Sequence, residues 1–334
     1  MNERGERGER GERSERGTMT NTNLGNDRRV PSCGEDTEKS IPSIQLYVAF
    51  HDDGSYVEAV SLCERWKMET ESQNDQIRKA KSSENDSISE ETIDDDKILK
   101  RKGQTPIYLR ATPLQCIPGP YLESSLFQRI SENDREWRFC DYVGVVTYSI
   151  ERKLTAFLKN GKEFRINWVD AVNQALRMNV AVLGLFGMRY KKNGKDISLL
   201  EGSVFQHGLS FYLAWTTLLK KLGATDNDIH DPKLRMGFFC NWWVGSPSAT
   251  MKYITIFNRA TQIIENDEEM KYHIQRDALY GSGKMSKQQL ENSFGKDYYT
   301  MHPFVLERLP AYFFQKHFFG GMVGTLNMFS MNLP

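Results

Sequence analysis

The feature that most constrains this chain is an alternation of short β-prone apolar runs with stretches of helical spacing. Across residues 43 to 66, "IQLYVAF" is followed by the turn residues "HDDGS" and the helical pattern "YVEAVSLCERW". The run "TPIYLRATP" (105 to 113) leads through the Pro/Gly loop "LQCIPGPYLES" into the helical "SSLFQRISENDREWRF". "FCDYVGVVTYS" (139 to 149) precedes the amphipathic "INWVDAVNQALRM" (166 to 178). "NVAVLGLFGM" precedes a long helix, "SVFQHGLSFYLAWTTLLKKLG" (203 to 223), closed by Gly223. "GFFCNWWVG" (237 to 245) precedes a helix with Ser246 as cap and Pro247 in its first turn. "HPFVLERLPAYFFQKHF" has a helical pattern interrupted by Pro310. Such alternation predicts an α/β fold with a mixed, mostly parallel sheet and helices on both faces.

Composition narrows the class. The 39% hydrophobic content supplies a sizeable core for one large domain or two small ones. Lys plus Arg (44) equals Asp plus Glu (44), so no net field favours nucleic acid or an anionic membrane. Cys33, Cys63, Cys116, Cys140 and Cys240 are scattered and never spaced CxxC, which argues against a disulfide framework and a structural zinc site. With no N-terminal apolar signal region and no apolar run long enough to span a bilayer, a soluble, cytoplasmic protein in a reducing compartment is expected. The repeat "NERGERGERGERSERG" (2 to 17) opens a tail, 1 to 42, that is expected to be disordered. The domain is expected to occupy 43 to 320, with a charged mobile insertion at 67 to 104 and a C-terminal tail at 321 to 334.

In open α/β sheets, ligands collect beyond the carboxyl ends of the strands. His51, Asp52 and Asp53 follow the first strand, Tyr148 and Glu151 follow "DYVGVVT", and Asn241 stands in the aromatic strand. Asp141 begins its strand, at the opposite end, where a turn or capping role competes with chemistry. GxGxxG after a strand, GxxxxGK[ST], HExxH and GxSxG are all missing from the sequence. Asp-x-Asp spacing, which can chelate a divalent cation that also holds a diphosphate, occurs at Asp94/Asp96 and Asp226/Asp228; the latter is the metal candidate. Trp242 and Trp243 must point to opposite faces of their strand; core packing on both faces of a central sheet is the favoured reading, and Trp243 stacking on a sugar or base is its competitor. His207 reads as a helix-packing histidine.

The succession "IQLYVAFHDDG", "ISENDREWRFCDYVGVVTYSI", "FQHGLSFYLAWTTLLKKLG", "FFCNWWVGSPSATMKYI" and "YTMHPFVLERLPAYFF" resembles a group of glycosyltransferase-like proteins of the capsular-polysaccharide-synthesis type, found also in some large viruses. The resemblance covers roughly residues 43 to 318 and lies in the order of the motifs more than in any one. It implies a single Rossmann-like domain of the GT-A type, a nucleotide-sugar donor, a glycan or polysaccharide acceptor, and Mn²⁺ or Mg²⁺. From the charge balance no nucleic-acid partner is expected, and peripheral membrane association stays open. Matched by motif, the functional positions are Asp141 and Tyr148, then Asn241, and finally His302, Glu307 and Arg308. "TYSIERK" stands where a His-Tyr-Arg-Arg run is usual, so Arg152 and Lys153 are the cations available there.

Glycosyl transfer needs charge stabilisation of a departing diphosphate and, with inversion, a carboxylate to take the acceptor proton. Glu307, Asp52 and Asp53 are candidates for the base, while Arg308, Arg152 and His302 are candidates to meet phosphate. The competing reading of "HPFVLERL" is an amphipathic helix in which Glu307 and Arg308 form an ion pair. A non-catalytic glycan- or protein-binding member of the same fold is the alternative for the whole chain.

Overall fold

The computed structural model describes residues 41–82, 103–132, 134–158, 163–281, 285–318, 323–326 and 328–333. The Glu-Arg-Gly repeat and the Asp94/Asp96 pair lie outside them. In chain order the elements begin β1 (Ser43–Phe50), α1 (Asp53–Ser82), β2 (Tyr108–Gln115), α2 (Leu126–Glu132), α3 (Asp134–Trp137), β3 (Tyr142–Thr147), α4 (Ile150–Leu158) and α5 (Trp168–Met178). They continue with β4 (Val182–Gly184), β5 (Gly187–Lys192), β6 (Lys195–Asp196), α6 (Leu199–Lys221), α7 (Asp226–Ile229), β7 (Met236–Phe238) and β8 (Trp243–Gly245). Last come α8 (Pro247–Asn266), α9 (Glu268–Ile274), α10 (Lys287–Phe294), α11 (His302–His317), β9 (Val323–Thr325) and β10 (Met328–Leu333).

The large sheet runs β2-β1-β3-β8-β4-β9. Only β8 runs against its neighbours; β2, β1 and β3 are parallel, as are β4 and β9. Alternation sorts the strand side chains onto two helical layers. Tyr47, Ala49, Val143, Val145 and Trp243 pack towards α2, α6, α8 and α11. Ile44, Leu46, Val48, Val146 and Trp242 pack towards α1, α4 and α5. The expected α/β architecture, mostly parallel with helices on both faces, is what the chain adopts. Gly144 has a steric reason: a Cβ there would lie 2.5 Å from Val244 Cγ1 and 2.6 Å from the Trp243 carbonyl oxygen.

Four expectations change. Residues 67–82 are not part of an insertion but continue α1. Trp66, Thr70, Asn74 and Ile77 extend its buried stripe at helical spacing, and polar members hide that stripe from a hydropathy reading. Asn74 then secures β2 by accepting from Ile107 N–H (3.0 Å) and donating to its carbonyl (2.7 Å). The runs "NVAVLGLFGM" and "GFFCNWWVG" each break in two, and their halves join different sheets, β4 and β8 in the large one, β5 and β7 in a small one with β6 and β10. The stretch 321–334 is not simply a tail, because β9 extends the large sheet and β10 pairs with β5. Pro310 sits inside α11 without ending it.

Candidate functional site

The carboxyl ends of β1, β2 and β3 and the amino end of antiparallel β8 open on one edge of the large sheet. His51 follows β1, Cys116 follows β2, and Lys153 lies near the start of α4. The crossover after β2 folds back through a 3₁₀ turn at Leu122–Ser125 and carries Glu123. Cys240 and Asn241 precede β8, and Glu307 and Arg308 arrive on α11.

These side chains share one electrostatic environment. His51 Nε2 is 3.7 Å from Glu123 Oε1. Burial works against the imidazolium, but hydrogen bonds to the Cys116 thiol and Glu123 outweigh it and push His51 up to about 10. Glu123 is held down at about 2: burial opposes ionisation, and His51 with the Lys153 charge overcomes it. Lys153 Nζ lies 3.8 Å from Cys240 Sγ and 5.6 Å from the centre of the Trp242 ring. Burial disfavours its ammonium, yet the Glu123 and Glu307 charges hold it above the usual lysine value. Cys240 and Cys116 stay thiols because burial raises both.

Glu307 secures the backbone of this site. Its Oε1 accepts from Cys240 N–H at 2.6 Å and its Oε2 from Arg308 Nη1 at 2.9 Å. Arg308 is buried behind it, donating to Ser203 Oγ, the Phe304 carbonyl, Gln206 Oε1 and His207 Nε2. His207 in turn donates Nδ1–H to the Ala278 carbonyl at 2.9 Å; burial and the Arg308 charge lower it to about 4, so it is neutral. The cluster therefore sets three cations, His51, Lys153 and Arg308, against two carboxylates, Glu123 and Glu307.

Backbone conformation marks the same place. Among the described residues, six other than glycine have positive φ; two, Asn179 and Asn193, are turn asparagines. The remaining four are Leu122 (46°), Cys240 (50°), Asn241 (58°) and Leu279 (53°). The first three lie in the site, and Leu279 precedes Tyr280, whose ring centre is 5.0 Å from that of Phe304 on α11. Left-handed backbone costs a non-glycine residue about 1–2 kcal/mol and persists where surrounding structure imposes it, often at functional sites.

The residues picked out by sequence divide sharply. His51, Asn241, Glu307 and Arg308 come together here. Asn241 Nδ2 donates to Ser124 Oγ at 2.9 Å, and its buried Oδ1 has no partner among the described residues. His302 is buried near this edge, bonded through Nδ1 to Thr300 Oγ1 at 2.8 Å, and desolvation lowers it to about 4; a neutral, buried imidazole is a poor phosphate partner. Asp52 caps α1, its Oδ1 accepting from Ser55 N–H and Oγ–H at 2.8 Å each, and Asp53 is exposed in that helix's first turn. Asp141 lies at the other edge of the sheet, accepting from Ser43 N–H at 2.7 Å and tying β3 to the start of β1. Trp243 cannot stack on a ligand, since it is fully buried against Phe127, Tyr253 and Phe314. Tyr148 and Arg152 line a separate open cavity of about 560 Å³ with residues of α1, where Arg152 pairs with Glu58 at 3.2 Å.

Among the described residues, the candidate metal ligands are already engaged. Asp226 pairs with Lys220, and Asp228 with Lys316 and the Thr225 capping box. Glu123 and Glu307 each already face a cation, and no group of three His, Cys, Asp or Glu among the described residues is arranged to hold a metal. No helix among the described residues is long and apolar enough to cross a membrane. Sequence reasoning passed over Glu123 and Cys116, although "LQCIPGPYLES" directly follows a strand's carboxyl end and so carried the positional signal. No protein-family model matches this chain, and no curated protein matches it.

Proposed function

We propose that the chain is a nucleotide-sugar-dependent glycosyltransferase of the GT-A type acting on a glycan or polysaccharide acceptor. The observation that carries this reading is the pair of side-chain cations, His51 and Lys153, set beside Glu123 and Glu307 beyond the carboxyl edge of the central strands. The donor's diphosphate competes with the carboxylates for these cations. They stabilise the negative charge that grows as the bond from the anomeric carbon to the diphosphate breaks and the diphosphate keeps the electron pair. Glu123 is a weak base while His51 faces it. Once phosphate engages both His51 and Lys153, the two charges that depress it are neutralised and the carboxylate regains the basicity needed to take the acceptor hydroxyl proton as the new glycosidic bond forms. Glu307 keeps Cys240 and Asn241 in place. Its double engagement supports the second reading, a non-catalytic glycan- or protein-binding member of the fold, because it takes Glu307 out of the chemistry and leaves a single carboxylate of this cluster, Glu123, to act as base.

Thermal shifts against a panel of nucleoside diphosphates and nucleotide sugars, with and without manganese, separate these readings. A manganese-independent shift specific to one nucleotide, weakened about 30-fold in affinity by Lys153→Met, is the expected result. Strict dependence on manganese overturns the assignment of the diphosphate to His51 and Lys153. No shift with any nucleotide sinks the transferase.

A further inference from the structure

The small sheet carries a second set of cations, which shares no residue with the cluster at His51 and Lys153. Strands β5 and β6 are joined by Asn193 and Gly194, whose φ of 52° and 75° fit the two left-handed positions of a type I′ hairpin turn. The register sets Lys192 directly opposite Lys195. Like charges so placed repel and weaken a hairpin, and β6 has only two residues, so nothing in the local fold favours lysine at both positions. Both are exposed, and with Arg235 from the loop before β7 they line an open cavity of about 390 Å³. Arg235 is oriented there: its Nε donates to the Pro232 carbonyl at 2.8 Å, which leaves its two terminal nitrogens for a ligand.

Two carboxylates also line the cavity, and both are engaged. Asp196 faces Arg189 at 3.5 Å. Glu201 Oε2 accepts from the N–H and the Oγ–H of Ser198, at 2.9 Å each, in the capping box that starts α6. Lys192, Lys195 and Arg235 have no carboxylate at ion-pair distance among the described residues. Lys192, Lys195, Arg235 and Arg189 against Asp196 and Glu201 leave an excess of two positive charges around the cavity.

We infer that this cavity binds a phosphomonoester group. Such a group brings about two negative charges at neutral pH and three acceptor oxygens, which match the charge excess and the three unpaired cations. A carboxylate brings one charge and two oxygens. Arg235 can donate two parallel bonds to the phosphate while the lysines flank it as point charges. The site stands whether or not the chain is a transferase, because it uses none of the residues assigned to the donor diphosphate.

Glycerol phosphate titrated into the isotope-labelled full chain tests this, with the amide signals of Asn193 and Gly194 as the local readout. These signals should move and saturate in the wild type and equally in Lys153→Met. In Lys192→Gln/Lys195→Gln the affinity they report should fall about tenfold, as the loss of two exposed ion pairs implies. That variant should melt at an unchanged or higher temperature, since the repulsion between the lysines is relieved. Arg235→Gln should weaken binding separately. Amides that do not move, or an affinity unchanged in both variants, overturn the proposal, and acetate binding as tightly as glycerol phosphate overturns the phosphate class. Vesicles of phosphatidylcholine with and without phosphatidic acid separate two sources of the group. Sedimentation that needs phosphatidic acid and fails in the double variant identifies a lipid head group. No sedimentation, beside intact binding of glycerol phosphate, identifies a soluble phosphate ester.

Discussion

Two carboxylates, Glu151 and Glu123, stand near the same edge of the sheet and have opposite surroundings. Glu151, on α4, accepts from Trp66 Nε1 at 2.8 Å, Ile166 N–H at 3.0 Å and Arg65 Nη2 at 2.5 Å. Each donor belongs to the layer of α1, α4 and α5, and the side chain is 8% exposed. Glu123 faces His51 across 3.7 Å with a quarter of its side chain open to solvent. Glu151 holds helices together, whereas Glu123 retains capacity for a ligand. A carboxylate near the carboxyl edge of an α/β sheet is therefore not informative until its donors are counted.

The comparison breaks most visibly if Glu151 is removed. Glu151→Ala leaves an indole N–H, a backbone N–H and a guanidinium without their acceptor, and should cost about 3–5 kcal/mol in urea unfolding. Nucleotide binding by the surviving folded fraction should be unchanged; a selective loss of binding would merge the two sites. Next in size is an acid effect in the layer behind Glu123. His207 and His302 have folded-state values near 4, below the 6.5 of an unfolded histidine. The unfolded chain then binds more protons between these values, so stability falls as pH drops from 6.5 towards 4, by about 3 kcal/mol for each histidine. Chemical denaturation across that window, repeated on His207→Phe, should show about half the slope; an unaltered slope would place the acid sensitivity elsewhere.

Smaller effects sharpen the Glu123 side. Cys240→Gly relieves left-handed backbone and should stabilise the fold by about 1 kcal/mol, an estimate that denaturation midpoints can check. A destabilised variant would mean that the packing of this thiol outweighs the strain. The raised value of His51 stabilises the folded state fully below the unfolded value of 6.5, and this contribution is lost as pH rises through about 10. With its side chain 37% exposed, solvent screening limits the effect to about 1 kcal/mol or less. His51→Gln should remove this alkaline component from a pH-resolved melting series, and a retained component would show that His51 is not its source.

Much of the fold was legible because burial writes itself into periodicity. Period-two runs and helical stripes located most strands and helices, and Ser246 caps α8 as its position suggested, accepting from Ala249 N–H at 3.3 Å. The failures have particular causes. Thr70 and Asn74 are polar residues buried on a helical stripe, so the second half of α1 looked like a charged loop. "GFFCNWWVG" reads as one strand because nothing in its composition announces that Cys240 and Asn241 turn left-handed and pass the chain between two sheets. Of the site residues, His51, placed after a strand end, and Asn241, in the aromatic strand, were visible by position, and Glu307 and Arg308 by motif. Glu123 was not, since it comes from a crossover whose path depends on what it folds back upon.

By itself the sequence determined the alternation of strands and helices, the two-sided burial of the central strands and the edge of the sheet on which polar residues collect. All of these follow from local patterning and chain connectivity. Only the tertiary structure decided which polar residues face a partner and which face solvent. It set Asp141 at the far edge, closed Trp243 into the core, gave Glu151 three donors, and brought Glu123 from the crossover to His51. Charge pairing acts over a few ångströms between residues distant in sequence, and only the packed fold defines those distances.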